Sequence, residues 1–438
     1  MIRQSTIAGF IGALAVSAVA AGWTAPDFPR VGGIQIGSPF NYDNPAYAAQ
    51  LARQNIMILG DYPGMAPDGM QMQQAVTNIK AHNPNALVFT YVNGNNVAEN
   101  TQTPTSTTWA AYVGEINHMK WWLYSDTASS KQVPAGFGDQ NDWQVNVTLY
   151  TPKDSNGDPA ILWLARFFAA NYTLAATDGL FTDNLGWRPY VNGQWKAGSG
   201  VVDLDATPTV QSWFRQGYAS YVALLRSLMP GKFQIGNIGD WGTPGATLTE
   251  YQGMLNGGVL ESYIGQSWSI ETTAGWASTL AEYRQVMANV VAPKLIFFNQ
   301  WGSSTDYQSM RYGLGTCLLD DGYYSFTNTT QGYYGVVWFD ELSQPLGPSL
   351  NKPTAAWQKG VWRRDFANGI MLVNPKGNGA QTVTLESPYI KVKGTQDPLT
   401  NSGAIVTTVT LKDRDGLMLL RKSATVTPMQ PTGVRVQH

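Results

Sequence analysis

The sequence predicts an α/β fold, a (β/α)8 barrel followed by a C-terminal antiparallel β-sandwich. Three observations predict it. Eight short apolar runs rich in Ile, Val, Phe and Tyr recur between residues 31 and 327, with helical stretches between them, which is the pattern of buried parallel strands joined by crossover helices. No Gly-rich phosphate loop follows the first run, as a doubly wound open sheet would more often show. After Asp340-Glu341 the pattern changes to successive alternating strands.

The strand candidates in order are Val31–Gly37, Asn55–Asp61, Ala86–Asn93, Gly179–Asn184, Phe233–Trp241, Gly257–Tyr263, Lys294–Trp301 and Gly322–Thr327. Helices are expected over Asn44–Arg53, Gln71–His82, Ile161–Asn171, Thr209–Leu228, Thr247–Leu255, Trp276–Val290 and Tyr307–Leu319. Residues 94–160 form an insertion far longer than an ordinary connection. It carries Trp109, Trp121, Trp122 and Trp143, and the stretch after the fourth strand carries Trp187, Tyr190 and Trp195. Loops that follow barrel strands lie on the catalytic face, so these aromatics either wall a cleft or pack cores of the insertions' own. Beyond a linker at Asn351–Pro353, strands are expected over Val361–Phe366, Gly369–Val373, Thr382–Leu385, Ile390–Lys393, Ala404–Leu411 and Leu417–Leu420, with Asp415-Gly416 as a tight hairpin turn. The organisation read from these elements is a leader over 1–22, a barrel over 23–350 and a sandwich domain over 356–438. The sandwich reads first as a packing partner for the barrel.

The leader has Arg3 before an apolar run and ends in the small residues Ala18-Val19-Ala20. This is the form of a cleavable secretion signal, and the expected location is secreted or periplasmic, with no stable membrane insertion after cleavage. Charged residues are 13% of the 438 and the formal charge is -2, so there is no basic field for nucleic acid. A single cysteine excludes an internal disulfide framework, and three histidines argue against a His-rich metal centre or His-dependent nucleophilic catalysis. No metal and no cofactor is expected. Catalysis must therefore lean on carboxylates.

Chemistry in such a barrel clusters at the C-terminal ends of the strands. Asp183 ends Gly-Leu-Phe-Thr-Asp, and Glu261 ends Gly-Val-Leu-Glu. By alternation Asp183 shares a face with Phe181, and Glu261 with Val259. A carboxylate at the end of an apolar strand is costly unless paired or used. The functional reading is a pair for acetal cleavage, in which one carboxylate stabilises positive charge at the anomeric carbon and the other protonates the leaving oxygen. Asp183, beside Asn184, suits the ionised role, and Glu261, near Tyr263, suits the acid. The bland reading is an ion pair or a helix N-cap. Sugar rings pack on aromatic faces and their hydroxyls need amide or carboxylate partners. Asp61, Tyr62, Tyr91, Asn93, Asn184, Trp187, Asn237, Trp241, Trp268, Asn299, Trp301 and Glu341 are the candidates for that work. Asp240 is a further possibility, and Asp320-Asp321 belong at the opposite, stability face.

Several phrases carry a family resemblance: Gly179-Leu-Phe-Thr-Asp-Asn184, Arg311-Tyr-Gly-Leu-Gly315 with Asp321-Gly-Tyr-Tyr324, and Val337-Trp-Phe-Asp-Glu341 with Leu346-Gly347. Trp362-Arg-Arg-Asp-Phe366 and Asn368-Gly-Ile-Met-Leu-Val-Asn-Pro375 follow them. In order and spacing they resemble the glycoside-hydrolase-like (β/α)8 family fifteen over roughly residues 31–420. The chain is similar, more distantly, to polygalactosaminidase-type barrels. The resemblance implies a barrel followed by a small β domain. In the latter group a catalytic Asp follows strand four and a Glu follows strand six, positions that Asp183 and Glu261 match. The expectation is a secreted glycoside hydrolase acting on a polysaccharide or oligosaccharide. The alternative is a carbohydrate-binding barrel without activity.

Overall fold

The computed structural model describes residues 23–37, 41–42, 44–60, 72–98, 107–135, 142–172, 177–186, 193–197, 207–239, 241 and 250–422. The expected leader, together with Asp61, Tyr62, Trp187, Tyr190, Asp240 and the first three residues of the helix expected over 247–255, lies outside them; the rest of that stretch holds only a short 3-10 turn over Gln252–Met254.

The first half runs β1 (Gly32–Gln35), α1 (Pro45–Leu51), β2 (Ile56–Gly60), α2 (Met72–His82) and β3 (Leu87–Asn93). The insertion then supplies β4 (Asn96–Ala98), α3 (Thr107–Met119) and β5 (Asp142–Gln144) before α4 (Ala160–Asn171) and β6 (Gly179–Asp183). There follow α5 (Pro208–Leu228), β7 (Phe233–Gly236), β8 (Gly257–Ile264), α6 (Ile270–Thr273), α7 (Trp276–Asn289), β9 (Leu295–Gly302), α8 (Tyr307–Leu318) and β10 (Tyr323–Asn328). Helix starts obey local chemistry. The Asn44 side chain accepts from the Ala46 N–H before a Pro at the first helical position of α1, and Asp306 caps α8 through the Ser309 N–H at 3.0 Å.

Eight parallel strands pair in the order β1-β2-β3-β6-β7-β8-β9-β10, and a parallel bridge between Val31 and Tyr324 joins the two edges into a barrel. Period-two alternation sorts each strand into two cores. Ile34, Ile58, Phe89, Phe181, Ile235, Val259, Phe297 and Tyr323 fill the interior. Leu180, Leu260, Ile296, Phe298 and Tyr324 face outward, in a larger core that includes residues of α4, α5, α7 and α8. Each fully buried aliphatic or aromatic residue contributes ~1.5–3 kcal/mol, so a one-residue slip of any strand would forfeit several at once.

The insertion is a packed structure. Trp121, Trp122 and Trp195 are fully buried in the outer core, with Trp121 against Trp163 of α4 at 5.3 Å. The cleft-wall reading of those three indoles is therefore corrected. They belong to the outer core, the Trp121 N–H given to the Pro152 carbonyl and the Trp122 N–H to Asn117 Oδ1, with the Trp195 carbonyl held by Asn146 and Thr148.

The C-terminal domain is β11 (Trp362–Phe366), β12 (Gly369–Asn374), β13 (Gln381–Lys391), β14 (Ile405–Leu411) and β15 (Asp415–Arg421), one antiparallel sheet in the order β11-β12-β15-β13-β14. The two strands expected over 382–385 and 390–393 are one strand, β13, with a register irregularity between Thr384 and Tyr389. The sheet buries two faces. Ile370, Leu372, Leu417 and Leu419 meet Val383, Leu385, Val409 and Leu411 in an internal core. Met371, Val373, Met418 and Leu420 join the core shared with the barrel helices. Asp415-Gly416 is not the hairpin turn. Both residues pair within β15, opposite Asn374 and Val373, and the turn falls at Asp413-Arg414, where Arg414 takes φ 55°. Gly416 is needed for another reason, since a Cβ there would lie 2.2 Å from the Arg311 carbonyl oxygen of α8.

Candidate active site

The interior face of the strands carries upward into a polar layer at the C-terminal mouth. Two residues above Phe89 stands Tyr91; above Phe181, Asp183; above Ile235, Asn237; above Val259, Glu261. The alternation that placed Asp183 and Glu261 on the inner face therefore brings these four side chains to one opening.

Their contacts are specific. Asp183 Oδ2 accepts from the Tyr91 hydroxyl at 2.8 Å, and its Oδ1 accepts from the Asn184 N–H at 2.9 Å. Glu261 Oε2 accepts from Asn237 Nδ2 at 2.9 Å, and its Oε1 accepts from the Tyr333 hydroxyl at 2.5 Å. Asn237, bonded to Glu261, also lies near enough to Asp183 to favour its ionised form. Neither acid forms an ion pair with Lys or Arg among the described residues. Burial, and then the like charge of Glu261, push the Asp183 carboxyl up to about 6, against the lowering effect of Tyr91, Asn184 and Asn237.

The sequence reading sets Glu261 as the protonated member, whereas the raised carboxyl is that of Asp183. Asp183 is half-buried and is the group held toward its protonated form. Glu261 is exposed at the opening, with donors on both oxygens. Tyr263 does not act on it. Ser262 takes φ 52°, the pairing of β8 with β9 shifts between Leu260 and Ile264, and the Tyr263 ring turns outward to pack on Phe298 at 5.9 Å.

The remaining candidates divide. Trp301 lies near the pair, its ring 5.4 Å from that of Tyr333. Asn93 sits at the end of β3, where its Oδ1 accepts from the Asn95 and Asn96 N–H groups and its Nδ2 approaches the Tyr91 hydroxyl at 3.4 Å. Asn184 serves through its backbone, at φ 54°, a conformation that Asn tolerates; its carbonyl accepts from the Tyr218 hydroxyl at 2.8 Å. Trp268 is 66% exposed in the turn after β8, free to meet a ligand.

Three candidates do not reach the opening. Trp241 is 1% exposed, its indole N–H given to the Val259 carbonyl at 3.0 Å, because it folds over the outside of the barrel wall. Asn299 is fully buried, its oxygen accepting from the Ser262 N–H at 3.1 Å and its Nδ2 donating to Thr327 Oγ1 at 3.0 Å. Glu341 lies between the domains, bonded to Asn401 Nδ2 at 2.8 Å and pushed above the usual carboxylate range by burial. Asp320 and Asp321 are held by Lys352 and Arg364 on the barrel's other side.

Tyr333 is the functional residue that sequence reasoning missed. It belongs to the loop after β10, and the only signal for it was that loops following barrel strands line the mouth. Among the described residues no group of three or more His, Cys, Asp or Glu side chains could hold a metal ion, and no helix is long and apolar enough to cross a membrane.

A closed (β/α)8 barrel with hydrogen-bonded carboxylates at its C-terminal mouth is the architecture of a glycosidase-like barrel. The chain matches the family described as hypothetical glycosyl hydrolase family 15 over residues 80–370, more than half its length, and belongs to that family. No curated protein matches it. Among solved structures it is similar to the glycoside hydrolase domain of PelA from Pseudomonas aeruginosa, at 14% identity over 69% of this chain and 95% of that one, TM-score 0.41. It is also similar to an alpha-amylase from Geobacillus thermoleovorans complexed with acarbose, at 12% identity over 90% and 98%, TM-score 0.46. A third is the cyclic alpha-maltosyl-(1→6)-maltose hydrolase from Arthrobacter globiformis, at 11% identity over 91% and 99%, TM-score 0.46.

Proposed function

We propose that the protein is an exported glycoside hydrolase that cleaves a polysaccharide or oligosaccharide, with Asp183 as the proton donor and Glu261 as the ionised partner. The observation that carries this reading is the convergence of two carboxylates in unlike environments at one opening, Asp183 held by Tyr91 and the Asn184 N–H, Glu261 by Asn237 and Tyr333. Acetal cleavage requires one carboxyl held toward its protonated form beside a second carboxylate. Asp183 gives its proton to the departing glycosidic oxygen. Glu261 meets the positive charge that grows on the anomeric carbon. Tyr91 and Asn184 hold the Asp183 carboxyl in place during the transfer. Trp268 and Trp301 offer apolar faces to sugar rings. Export is supported by the apolar leader with its small-residue end.

A panel of glycans incubated with wild type, Asp183→Asn and Glu261→Gln, followed by mass analysis of products, tests the reading. Each substitution is expected to lower turnover by ~10²–10⁴-fold with an unchanged fold. Wild-type rates in both variants would reject it. Glycan binding that persists with no product from any form would leave a carbohydrate-binding barrel instead.

A further inference from the structure

Each carboxylate of the pair has its own tyrosine. Tyr91 reaches Asp183 from β3, and Tyr333 reaches Glu261 from the loop after β10. Both rings pack on the top of the barrel's inner core. We propose that Tyr333 is a positioning residue, whose hydroxyl keeps the Glu261 carboxylate ionised and turned toward Asp183.

Three features fix the tyrosine. Its ring stands edge-on to Trp301 at an interplanar angle of 88°. Its carbonyl accepts from the Gly37 N–H at 3.1 Å, which ties the loop to the segment just after β1. Its half-buried ring leaves the hydroxyl aimed at Glu261 Oε1. With Asn237 on Oε2 and Tyr333 on Oε1, both oxygens have a donor and the carboxylate cannot rotate without breaking one bond. A hydrogen bond to a charged acceptor favours the charged form. The groups that face Glu261 among the described residues are Asp183, Asn237 and Tyr333, with Trp301 behind the phenol.

The inference rests on Glu261 being the ionised partner, and its test does not need a known substrate. The two carboxyls titrate as a pair, followed by carbon NMR of labelled Asp and Glu side chains. In Tyr333→Phe the lower of the two steps is expected to move to higher pH. With 3-fluorotyrosine at position 333, a stronger donor in the same shape, it is expected to move the other way. An unmoved step in both forms would overturn the assignment, and either movement with an unchanged melt supports it. On a panel of 4-nitrophenyl glycosides Tyr333→Phe is expected to lower kcat about 10–100-fold with KM within about threefold. A wild type inert on every glycoside, beside moved titrations, would count against the hydrolase reading and not against the role of Tyr333.

Discussion

Asp183 is the residue whose proposed role conflicts with stability. Burial and the Glu261 charge raise its carboxyl to about 6, so the folded protein binds this proton more tightly than the unfolded chain does. The sign follows from linkage: the favourable contribution is complete below the ordinary carboxylate range near 4 and is lost as pH rises through about 6. A shift of about two units corresponds to about 3 kcal/mol at most, and partial exposure reduces it. Asp183→Asn can keep the Asn184 N–H on its oxygen and donate its own NH2 to the Tyr91 hydroxyl, which turns to accept. The variant is therefore expected to be more stable than wild type by about 1–3 kcal/mol at pH 7, with the advantage vanishing near pH 4, in melts recorded across that range. An advantage that does not change with pH would mean that the carboxyl is not held toward its protonated form. Asp183 and Glu261 were legible because each stands two residues above an apolar inward neighbour. Trp241, Asn299 and Glu341 were misread for the opposite reason. An aromatic or polar residue near a strand end looks the same in sequence whether it rises into the opening, closes a buried network or turns outside.

At the scale of elements, the aim of Glu261 depends on how β8 ends. A regular strand would keep Tyr263 on the inner face with Glu261. The left-handed turn at Ser262 sends the ring outward and leaves the carboxylate alone at the opening. Asn299 of β9 holds that turn by accepting the buried Ser262 N–H, and Ser269 Oγ takes the Ser262 carbonyl. Asn299→Ala would leave the Ser262 N–H, and the hydroxyls of Ser325 and Thr327, short of a partner. The expected cost is about 1–3 kcal/mol in urea unfolding, with a loss of turnover larger than that stability change accounts for, because Glu261 loses its direction. Wild-type turnover in Asn299→Ala would show that the turn holds without it. Seven of the barrel strands were readable to within two residues at each end, since a buried parallel strand is an unbroken apolar run, whereas the fifth, expected to run through to Trp241, ends at Gly236. The bulge was not, because Leu-Glu-Ser-Tyr-Ile alternates as well as any regular strand. Helix α3 was missed as well, for its apolar positions sit in an insertion where aromatic and polar residues mix.

For the whole molecule, the C-terminal sheet covers the outer face of helix α8. Helix α8 is buried from Ser309 to Leu318, between the barrel strands on one side and β12 and β15 on the other. Its polar residues are matched accordingly: Arg311 pairs with Asp397 and Asp415 of the sheet domain. The firmest link is Arg364 of β11, which is fully buried. Its guanidinium donates to the Leu318 and Asp320 carbonyls at 2.9 and 2.5 Å, to Asp321 Oδ1 at 2.5 Å and to the Asn351 carbonyl at 2.9 Å, and it lies 4.8 Å over the Phe28 ring. The Leu318 and Asp320 carbonyls belong to the end of α8 and the turn beyond it, where a cation is favoured. The expected role of the second domain as a packing partner was legible in its alternating apolar strands. The partner surface was not, since α8 reads as an ordinary barrel helix until both of its faces are seen to be covered. Removing Arg364 as Ala strands several buried carbonyl acceptors, while Asp321 keeps Lys352 as its partner, at an expected cost of about 2–4 kcal/mol. Because α8 and the sheet share one core, the barrel and the sheet are expected to unfold in a single transition in both wild type and variant. Calorimetry checks this together with proteolysis at 345–360. A separate early melting of the sheet, with the barrel's transition unmoved, would show an appended module and leave the mouth residues independent of it.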